Sequence, residues 1–251
     1  MSYVLIIGAK SDIAKATAKV YAMHGYNLYL AARKPNELQG FANDVIAGSN
    51  INIKLVELDV VNYKSHQAFY ENLDEKPIGV IVAAGYLGKQ DVAQKNFAES
   101  QKIIDTNYIG LVSLLNIISN DFEHRRNGFL TGISSVAGDR GRKRNYIYGS
   151  AKSAFTTYLS GLRSRLYASG VHVLTVKPGY VATKMIKGMN LPERLIAQPE
   201  TVAEDIYNAQ QNYKNVLYTK WVWRWVMLII KMIPEWIFKK INIKKKIKKL
   251  N

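Results

Sequence analysis

The sequence predicts an α/β fold in which a doubly wound parallel sheet is covered by helices on both faces and is followed by a C-terminal amphipathic helical extension. Two observations support this prediction. Short β-branched runs alternate with stretches whose apolar residues recur at helical spacing. The strand segments are also apolar throughout, as strands buried on both faces are. Together these patterns indicate a Rossmann-type architecture with right-handed crossovers.

The alternation can be followed along the chain from the first residues. The predicted strands are Tyr3–Ile7, Asn27–Ala31, Ile53–Leu58, Gly79–Ala83, Gly128–Ile133 and Val171–Val176. The predicted helices are Ile13–His24, Asn36–Ala47, Lys64–Leu73, Phe97–Asn120 and Tyr146–Ala168. No repeat and no Pro- or Ser-rich linker precedes residue 213, so we predict one domain over residues 1–218 and an extension over residues 219–251.

Composition excludes several classes of protein. With 251 residues, of which 48% are hydrophobic, the chain can bury a full core. It has no cysteine, which rules out a disulfide framework and a thiolate metal site. Four scattered histidines show no ligand spacing, so we expect no metal. The first apolar run is too short for a secretion signal, and we expect a cytoplasmic protein.

The net charge of +16 is concentrated at the C-terminus. From Lys214 to Asn251 there are eleven Lys and Arg against the single acid Glu235, so this part carries +10 and the preceding 213 residues carry +6. A nucleic-acid-binding protein more usually spreads its charge over a folded face. We therefore expect no nucleic-acid partner.

The turn after the first strand is a candidate phosphate site. Gly8 permits a tight turn, and the N-terminus of the following helix offers free N–H groups and a positive dipole to a pyrophosphate. The candidate cofactor contacts in this turn are Gly8, Lys10, Ser11, Asp12 and Ile13. The loop has only one glycine, and a structural turn in which Asp12 caps the helix explains it equally well.

The end of the second strand bears on the choice of nucleotide. An NAD-binding fold would place an acid about twenty residues past the first glycine, where it holds the ribose 2′-hydroxyl. This chain has Ala32 there, with Arg33 next to it and Lys10 in the first turn. Because cations suit a 2′-phosphate, NADP(H) is favoured over NAD(H). The alternative is that Arg33 and Lys34 are solvated loop charges.

Two later strand ends could also contact a dinucleotide. Asp59 and Val60 follow the third strand, and Ala83, Ala84 and Gly85 follow the fourth. Small residues at such a position let a flat dinucleotide lie against the backbone.

Ser135, Tyr148 and Lys152 form a candidate proton-transfer group. Tyr148 and Lys152 are one helical turn apart. A phenol has a pKa near 10, and a lysine ammonium at i+4 favours the phenolate and so lowers that pKa. Tyr148 would give its proton to a carbonyl oxygen as hydride reaches the carbon, and Ser135 would hydrogen-bond the same oxygen.

In order and spacing, these pieces resemble the short-chain dehydrogenase/reductase family from Met1 to about Tyr218. The matching motifs are Gly8-x-x-x-Asp12-x-Ala14, Asp59-Val60, Ala83-Ala84-Gly85, Asn107, Ser135, Tyr148-x-x-x-Lys152 and Pro178-Gly179-x-Val181-x-Thr183. The resemblance implies NAD(P)-dependent oxidoreduction at a CH–OH or C=O group, and a homodimer or homotetramer.

The resemblance also implies roles for individual residues. Tyr148 and Lys152 would contact the nicotinamide end of the cofactor, and Asn107 would anchor a water that extends the proton relay. A further set would close over the nicotinamide: Pro178, Gly179, Val181 and Thr183. The chain departs from the family where glycines are replaced by Asp12 and Ala14, and where Asn-Asn-Ala-Gly reads Val82-Ala83-Ala84-Gly85.

A narrower resemblance points to the decaprenylphosphoryl-2-keto-ribose reductase branch. It rests on the Gly8–Ala14 turn, on Ala137–Asn145 and on the aromatic, basic tail. It implies NADPH-dependent reduction of a keto-sugar carried on a lipid phosphate for cell-envelope synthesis. The loop between Ser135 and Tyr148 has four cations that would grip a substrate phosphate or, alternatively, be solvated or lie at a subunit interface: Arg140, Arg142, Lys143 and Arg144.

The tail combines indoles, aliphatic residues and lysines. On a helix Arg224, Lys231 and Glu235 share one narrow polar stripe, and the uninterrupted apolar run is far shorter than the roughly 20 residues that span a bilayer. We predict peripheral contact of residues 221–249 with the cytoplasmic face of a membrane. The competing interpretation is packing on a neighbouring subunit or over the active site.

Other functions remain open at this point. A reductase of fatty or sterol ketones would also explain the tail. A catalytically silent NADP-binding scaffold is opposed by the intact set of Ser135, Tyr148 and Lys152. A nucleic-acid binder using the lysines of residues 239–249 is the weakest alternative.

Overall fold

The structure, a computed structural model that describes residues 1–186, 188 and 191–240, contains one sheet of seven parallel strands. Its strands are β1 (Tyr3–Ile7), β2 (Asn27–Ala32), β3 (Ile53–Glu57), β4 (Gly79–Val82), β5 (Phe129–Ile133), β6 (His172–Pro178) and β9 (Val216–Thr219). A separate two-stranded pair consists of β7 (Tyr180–Val181) and β8 (Ile196–Ala197). The strand order is β3-β2-β1-β4-β5-β6-β9, so the predicted doubly wound parallel sheet is confirmed.

Helices connect the strands and cover both faces of the sheet. They are α1 (Asp12–Met23), α2 (Gln39–Ala47), α3 (His66–Glu71), α4 (Gln90–Ala93), α5 (Phe97–Ile104), α6 (Gly110–Arg125), α7 (Tyr146–Leu166), α8 (Pro199–Gln211), α9 (Val222–Met232) and α10 (Glu235–Phe238).

The apolar character of the strands follows from this layering. Successive residues of β1 point to opposite faces: Leu5 and Ile7 pack into the core beneath α6 and α7, and Val4 and Ile6 pack into the core beneath α1 and α2. All five residues of β1 are buried. A strand with helices above and below it has no solvent face, which is why its sequence does not alternate between apolar and polar residues.

The seventh strand and the helix before it were not predicted. Pro199 stands in the first turn of α8, and the buried Val202, Ile206 and Ala209 recur at helical spacing, so the sequence does contain a signal for this helix. Strand β9 is short and begins with the exposed Val216, and it carries little pattern of its own. It joins the sheet by pairing with β6.

The helix predicted over Phe97–Asn120 is divided by a π-helical turn at Asp105–Ile109. The turn ends at Gly110, where a Cβ atom would lie 1.9 Å from the carbonyl oxygen of Val60. The buried Asn107 lies within this π-helical turn. Such turns occur frequently at functional sites.

The tail contributes α9 and α10 to the structure. Within the described residues, no helix is both long and apolar enough to cross a membrane. Strand β9 reaches Thr219, so the sheet extends one residue past the predicted boundary at residue 218. The part of the predicted membrane contact over residues 241–249 lies outside the described residues.

Candidate active site

A cleft opens at the carboxyl ends of β1, β4, β5 and β6, where ligands bind in sheets of this kind. It encloses a cavity of about 280 Å³. Fourteen of the predicted site residues line it: Lys10, Ser11, Asp12, Ile13, Ala83, Ala84, Gly85, Ser135, Tyr148, Lys152, Pro178, Gly179, Val181 and Thr183. The cleft therefore brings together residues that are up to 173 positions apart in the sequence, from Lys10 to Thr183.

The first turn is built around Gly8. Its φ of +79° lies in the left-handed region, and a Cβ atom at this position would lie 2.5 Å from the backbone nitrogen of Ala84. Glycine is thus required both by the turn and by the packing of the first strand end against the fourth. The hydroxyl of Ser11 accepts a hydrogen bond from the Ala14 N–H at 3.1 Å and caps α1. The predicted cap, Asp12, is therefore wrong, because Ser11 already occupies that position.

Asp12 has a different partner. Its carboxylate accepts a hydrogen bond from the backbone N–H of Lys184 at 2.9 Å. This contact ties the N-terminus of α1 to the segment that follows β7. The Asp12 carboxylate, which stands where the family has a glycine, therefore already has a hydrogen-bond partner in the Lys184 backbone at one side of the cleft.

The two cations predicted to bind a 2′-phosphate differ in position. Lys10 lines the cleft and forms an ion pair with Glu37, an interaction that lowers the pKa of the Glu37 carboxyl. Arg33 follows the end of β2 and is exposed, outside the residues that line the cavity. Because the Lys10–Glu37 pair is also half exposed, it is weak enough for an anion to compete with the carboxylate.

The three candidate catalytic side chains converge in the cleft. Ser135 follows β5, and its hydroxyl hydrogen-bonds the phenol of Tyr148. The Lys152 ammonium donates a hydrogen bond to the carbonyl of Ile133 at 3.0 Å and lies 5.9 Å from the centre of the Tyr148 ring. Tyr148 and Lys152 are 8% and 3% exposed, so both act in a medium of low polarity.

Burial governs the titration of this group. It raises the pKa of Tyr148 to about 12, against a smaller lowering by the hydrogen bond to Ser135. It lowers the pKa of Lys152 to about 8. The expectation that Lys152 lowers the pKa of Tyr148 is thus not met in the protein alone, because both groups lose their hydration. Near pH 7 Tyr148 is a protonated phenol, as a general acid must be.

Asn107 lies behind the cleft wall and does not line the cavity. Its amide donates to the carbonyls of Tyr86 and Ile103, at 2.6 and 2.8 Å, and its oxygen accepts from the Tyr86 N–H. A Cβ atom on Gly85 would lie 3.1 Å from the Asn107 oxygen and 3.5 Å from the Lys152 nitrogen. The Asn107 oxygen and the Lys152 nitrogen therefore both lie near Gly85, and the water relay between them stays a prediction.

Asp59 and Val60, both predicted to contact the cofactor, do not line the cavity and instead make contacts within the fold. The Asp59 carboxylate accepts a hydrogen bond from the Val61 N–H, and Val60 is buried beneath Gly110. Neither lines the cavity of the cleft. Their predicted contact with a cofactor stays a prediction.

The loop after Ser135 was expected to hold a substrate phosphate or, alternatively, to be solvated or to lie at a subunit interface. Arg140 instead donates to the carbonyls of Ile230 and Ile233, at 2.7 and 2.5 Å, and pairs with Glu235 at 2.7 Å. Its guanidinium thus satisfies carbonyls at the end of α9 that have no helical partner. Since Arg140 is committed to the tail, it is not available for the predicted grip on a phosphate.

Sequence reasoning also missed a buried polar cluster beside this loop. The Asp139 carboxylate pairs with Lys177 at 2.6 Å and accepts a hydrogen bond from the Tyr218 hydroxyl at 2.8 Å. The three residues come from the loop, β6 and β9, so they were too far apart in sequence to be recognised together. They fix the backbone between Ser135 and Arg140.

Comparison with known proteins agrees with this arrangement. The family described as short chain dehydrogenase matches residues 2–194. An uncharacterised oxidoreductase of Mycobacterium tuberculosis is 33% identical over 240 residues, covering 94% of this chain and 96% of that protein.

Solved structures share the fold. A short-chain dehydrogenase from Sphingobium yanoikuyae in complex with NADPH superposes with a TM-score of 0.82 at 22% identity, covering 94% of this chain and 97% of that one. An actinorhodin polyketide ketoreductase with NADPH gives a TM-score of 0.75 at 19% identity, over 86% and 95% of the two chains. With the family match and the geometry of the cleft, the conclusion is that this chain belongs to the short-chain dehydrogenase/reductase family and is an NAD(P)-dependent oxidoreductase.

Proposed function

We propose that this protein uses NADPH to reduce a ketone to a secondary alcohol, on a keto-sugar carried by a polyprenyl phosphate in cell-envelope synthesis. The observation that carries the reductase part is the meeting of Ser135, Tyr148 and Lys152 in one buried cleft beside the Pro178–Gly179 backbone. The first turn fits a dinucleotide, because Lys10, Ser11, Asp12 and Ile13 line the cleft where α1 presents its N-terminus.

The proton chemistry belongs to Ser135 and Tyr148. NADPH would supply the hydride that forms the new C–H bond at the carbonyl carbon. As the carbonyl π electrons move to oxygen, the Tyr148 phenol gives that oxygen its proton, and the product is the alcohol. The Ser135 hydroxyl, which is already within hydrogen-bond reach of Tyr148, orients the oxygen between them.

Lys152 and Asn107 supply charge and proton exchange. With its pKa near 8, Lys152 is mostly cationic at pH 7. Its charge would offset that of the phenolate formed when Tyr148 gives up its proton, although it leaves the resting phenol protonated. Asn107, whose side-chain oxygen lies behind Gly85 next to Lys152, would hold a water through which a proton returns. Removal of water from the cleft strengthens each of these interactions.

The preference for NADPH rests on Lys10 and Arg33. Both are cations near the first two strand ends, and a 2′-phosphate would take the place of Glu37 as the partner of Lys10. Fluorescence titration with NADPH and NADH tests this, with Arg33→Ala beside its exposed neighbour Lys34→Ala. We expect Arg33→Ala to weaken NADPH by about tenfold, the loss of one charge-assisted contact, and to leave NADH unchanged. Equal losses for both nucleotides would refute the assignment.

The lipid-linked substrate is supported by the tail. The outer face of α9–α10, which we define as Trp221, Trp225, Leu228, Ile229, Met232 and Trp236, is exposed although every member is apolar. The exposed cations Arg224, Lys231, Lys239 and Lys240 border it. An apolar face with indoles and a basic rim is typical of a helix that lies in the interface of an anionic bilayer.

Vesicle binding tests the membrane contact. Co-sedimentation with phosphatidylcholine vesicles, with and without an anionic phospholipid, should show binding that needs the anionic lipid and weakens with salt. The double variant Trp225→Ser/Ile229→Ser should remove it, whereas Phe97→Ser, an exposed aromatic residue on α5, should not. If the double variant binds the vesicles as well as the wild type does, the outer face does not contact the membrane, and packing on a second copy of the chain is favoured instead.

The substrate itself is tested by turnover. NADPH oxidation should be followed with a polyprenyl-phosphate keto-pentose and with a long-chain ketone that lacks the phosphate, both in the same detergent. Faster turnover of the keto-pentose supports the proposal, and the reverse result favours the lipid-ketone reductase.

Three further parts of the proposal concern organisation. We assign catalysis to residues 1–218 and membrane contact to residues 221–249 within the extension 219–251. We place the protein at the cytoplasmic face of the membrane, and we propose a homodimer or homotetramer, as the family resemblance implies. Sedimentation velocity measures the oligomeric state directly.

A further inference from the structure

The tail helix contacts the cofactor side of the cleft through its buried residue Trp223. Its side chain is 3% exposed, and its indole lies against Gly179, which lines the cavity. A Cβ atom on Gly179 would lie 1.9 Å from Nε1 of Trp223 and 2.0 Å from Cε2. Gly179 is not among the glycines with positive φ. The glycine is therefore required here by the indole that fills the space and not by the backbone conformation.

Trp223 also contacts two other segments of this wall. Its ring packs edge-on against Tyr180, with the ring centres 5.2 Å apart. Its Nε1–H donates to the carbonyl of Leu195 at 3.3 Å. Together with Met227 it packs on Val136, which follows Ser135 in the chain. One side chain thus joins the turn after Ser135, the strand after Pro178 and the turn that precedes β8.

Contacts before and after α9 hold the helix that carries Trp223. Three residues before the helix begins, the carbonyl of Thr219, the last residue of β9, accepts a hydrogen bond from the Gly179 N–H at 3.0 Å. At its end, Arg140 binds the carbonyls of Ile230 and Ile233. These contacts fix the position of the helix without involving the indole. Trp223 can therefore position another segment, because the helix that carries it is itself held in place.

We propose that Trp223 is a positioning residue for the reduction, and that it holds the Pro178–Val181 backbone at the distance from Tyr148 that the nicotinamide end of the cofactor requires. Trp223 does not line the cavity, so it acts through Gly179 and Tyr180. This inference rests on the proposed reduction, but cofactor affinity tests it separately from turnover.

The experiment compares Trp223 with an exposed aromatic residue outside the tail, without membranes. Trp223→Ala should weaken NADPH binding, followed by NADPH fluorescence, and should lower kcat on the polyprenyl-phosphate keto-pentose by about a hundredfold, because a displaced segment misaligns the reacting groups. Tyr167→Ala, which removes an exposed ring next to the C-terminus of α7, should change neither by more than twofold. Trp223→Phe should recover part of the loss, since it keeps a ring against Gly179.

A double-mutant cycle separates positioning from general support of the fold. Gly179→Ala should impair NADPH binding in the wild type, because the new methyl group meets the indole, and should cost little more when Trp223 is already Ala. The cycle uses NADPH alone, so it remains decisive if no ketone is turned over. Equal costs of Gly179→Ala in both backgrounds, or unchanged NADPH affinity in Trp223→Ala, would overturn the proposal. If Trp223→Ala does not fold, the same cycle is run with Trp223→Phe.

Discussion

Tyr148 and Trp223 are both buried aromatic residues at one cleft, yet the helices that carry them are held in different ways. Helix α7 is 21 residues long and buries eight residues between the sheet and its neighbours. Helix α9 is 11 residues long, and its buried side chains are Trp223 and Met227. The catalytic helix is therefore positioned by the core as a whole, whereas the tail helix is positioned by a few specific contacts.

The comparison also shows a difference in what burial does. On α7 it places two titratable groups, Tyr148 and Lys152, in a medium that disfavours their charged forms. On α9 it places a thioether and an indole whose N–H keeps a hydrogen-bond partner in the carbonyl of Leu195. Burial at the catalytic helix thus costs stability in return for chemistry, and burial at the tail helix adds stability. Substitutions at each site should show this contrast.

The largest expected effect is on turnover. Tyr148→Phe removes the proton donor and keeps the ring, so kcat should fall by about 10²- to 10⁴-fold, the contribution of a positioned general acid. NADPH affinity should change little. Steady-state kinetics together with fluorescence titration measure the two quantities. Retained turnover would mean that another group donates the proton, and it would refute the role of Tyr148 as the general acid.

The next effect is on stability, with the opposite sign from most core substitutions. Burial lowers the pKa of Lys152 from 10.5 to about 8. Below pH 8 the lysine is charged in both the folded and unfolded states, and the folded protein bears the full cost, about 3 kcal/mol. Between pH 8 and 10.5 the folded protein holds fewer protons than the unfolded one, so this cost disappears as pH rises.

Lys152→Met should therefore raise the free energy of unfolding of the cofactor-free protein near pH 7, although the lost hydrogen bond to Ile133 offsets part of the gain. The advantage should shrink as pH rises from 8 to 10.5. Urea unfolding at a series of pH values measures it, with the exposed Lys143→Met as control. An advantage that grows with pH would contradict the assigned shift.

The smallest effect tests the tail. Arg140→Ala leaves the carbonyls of Ile230 and Ile233 without their donor, and should lower the free energy of unfolding by about 1.5–3 kcal/mol, the range for hydrogen bonds to a charged group. Arg140→Lys should recover little, because an ammonium cannot reproduce the forked contact with two carbonyls and Glu235. Hydrogen exchange in α9 and thermal unfolding measure both, and a full recovery by lysine would show that charge alone matters.

Much of the fold followed from short-range pattern. The apolar strands and the helical spacing between them predicted the parallel sheet, because each element buries its own residues. Strand β9 was missed, since four residues at a sheet edge are specified by pairing with β6 rather than by their own periodicity. The π-helical turn was missed for a related reason: Gly110 adopts its place against Val60, more than forty residues away.

The candidate site divides along the same line. The sequence by itself determined the spacing of Ser135, Tyr148 and Lys152 and the turn at Gly8, because one strand end, one helix face and one glycine are local features. Only the tertiary structure decided that Arg140 holds the tail, that Asp12 binds the Lys184 backbone, and that Trp223 fills the space beside Gly179. These contacts join residues 44 to 172 positions apart, and their partners become neighbours only when the sheet is complete.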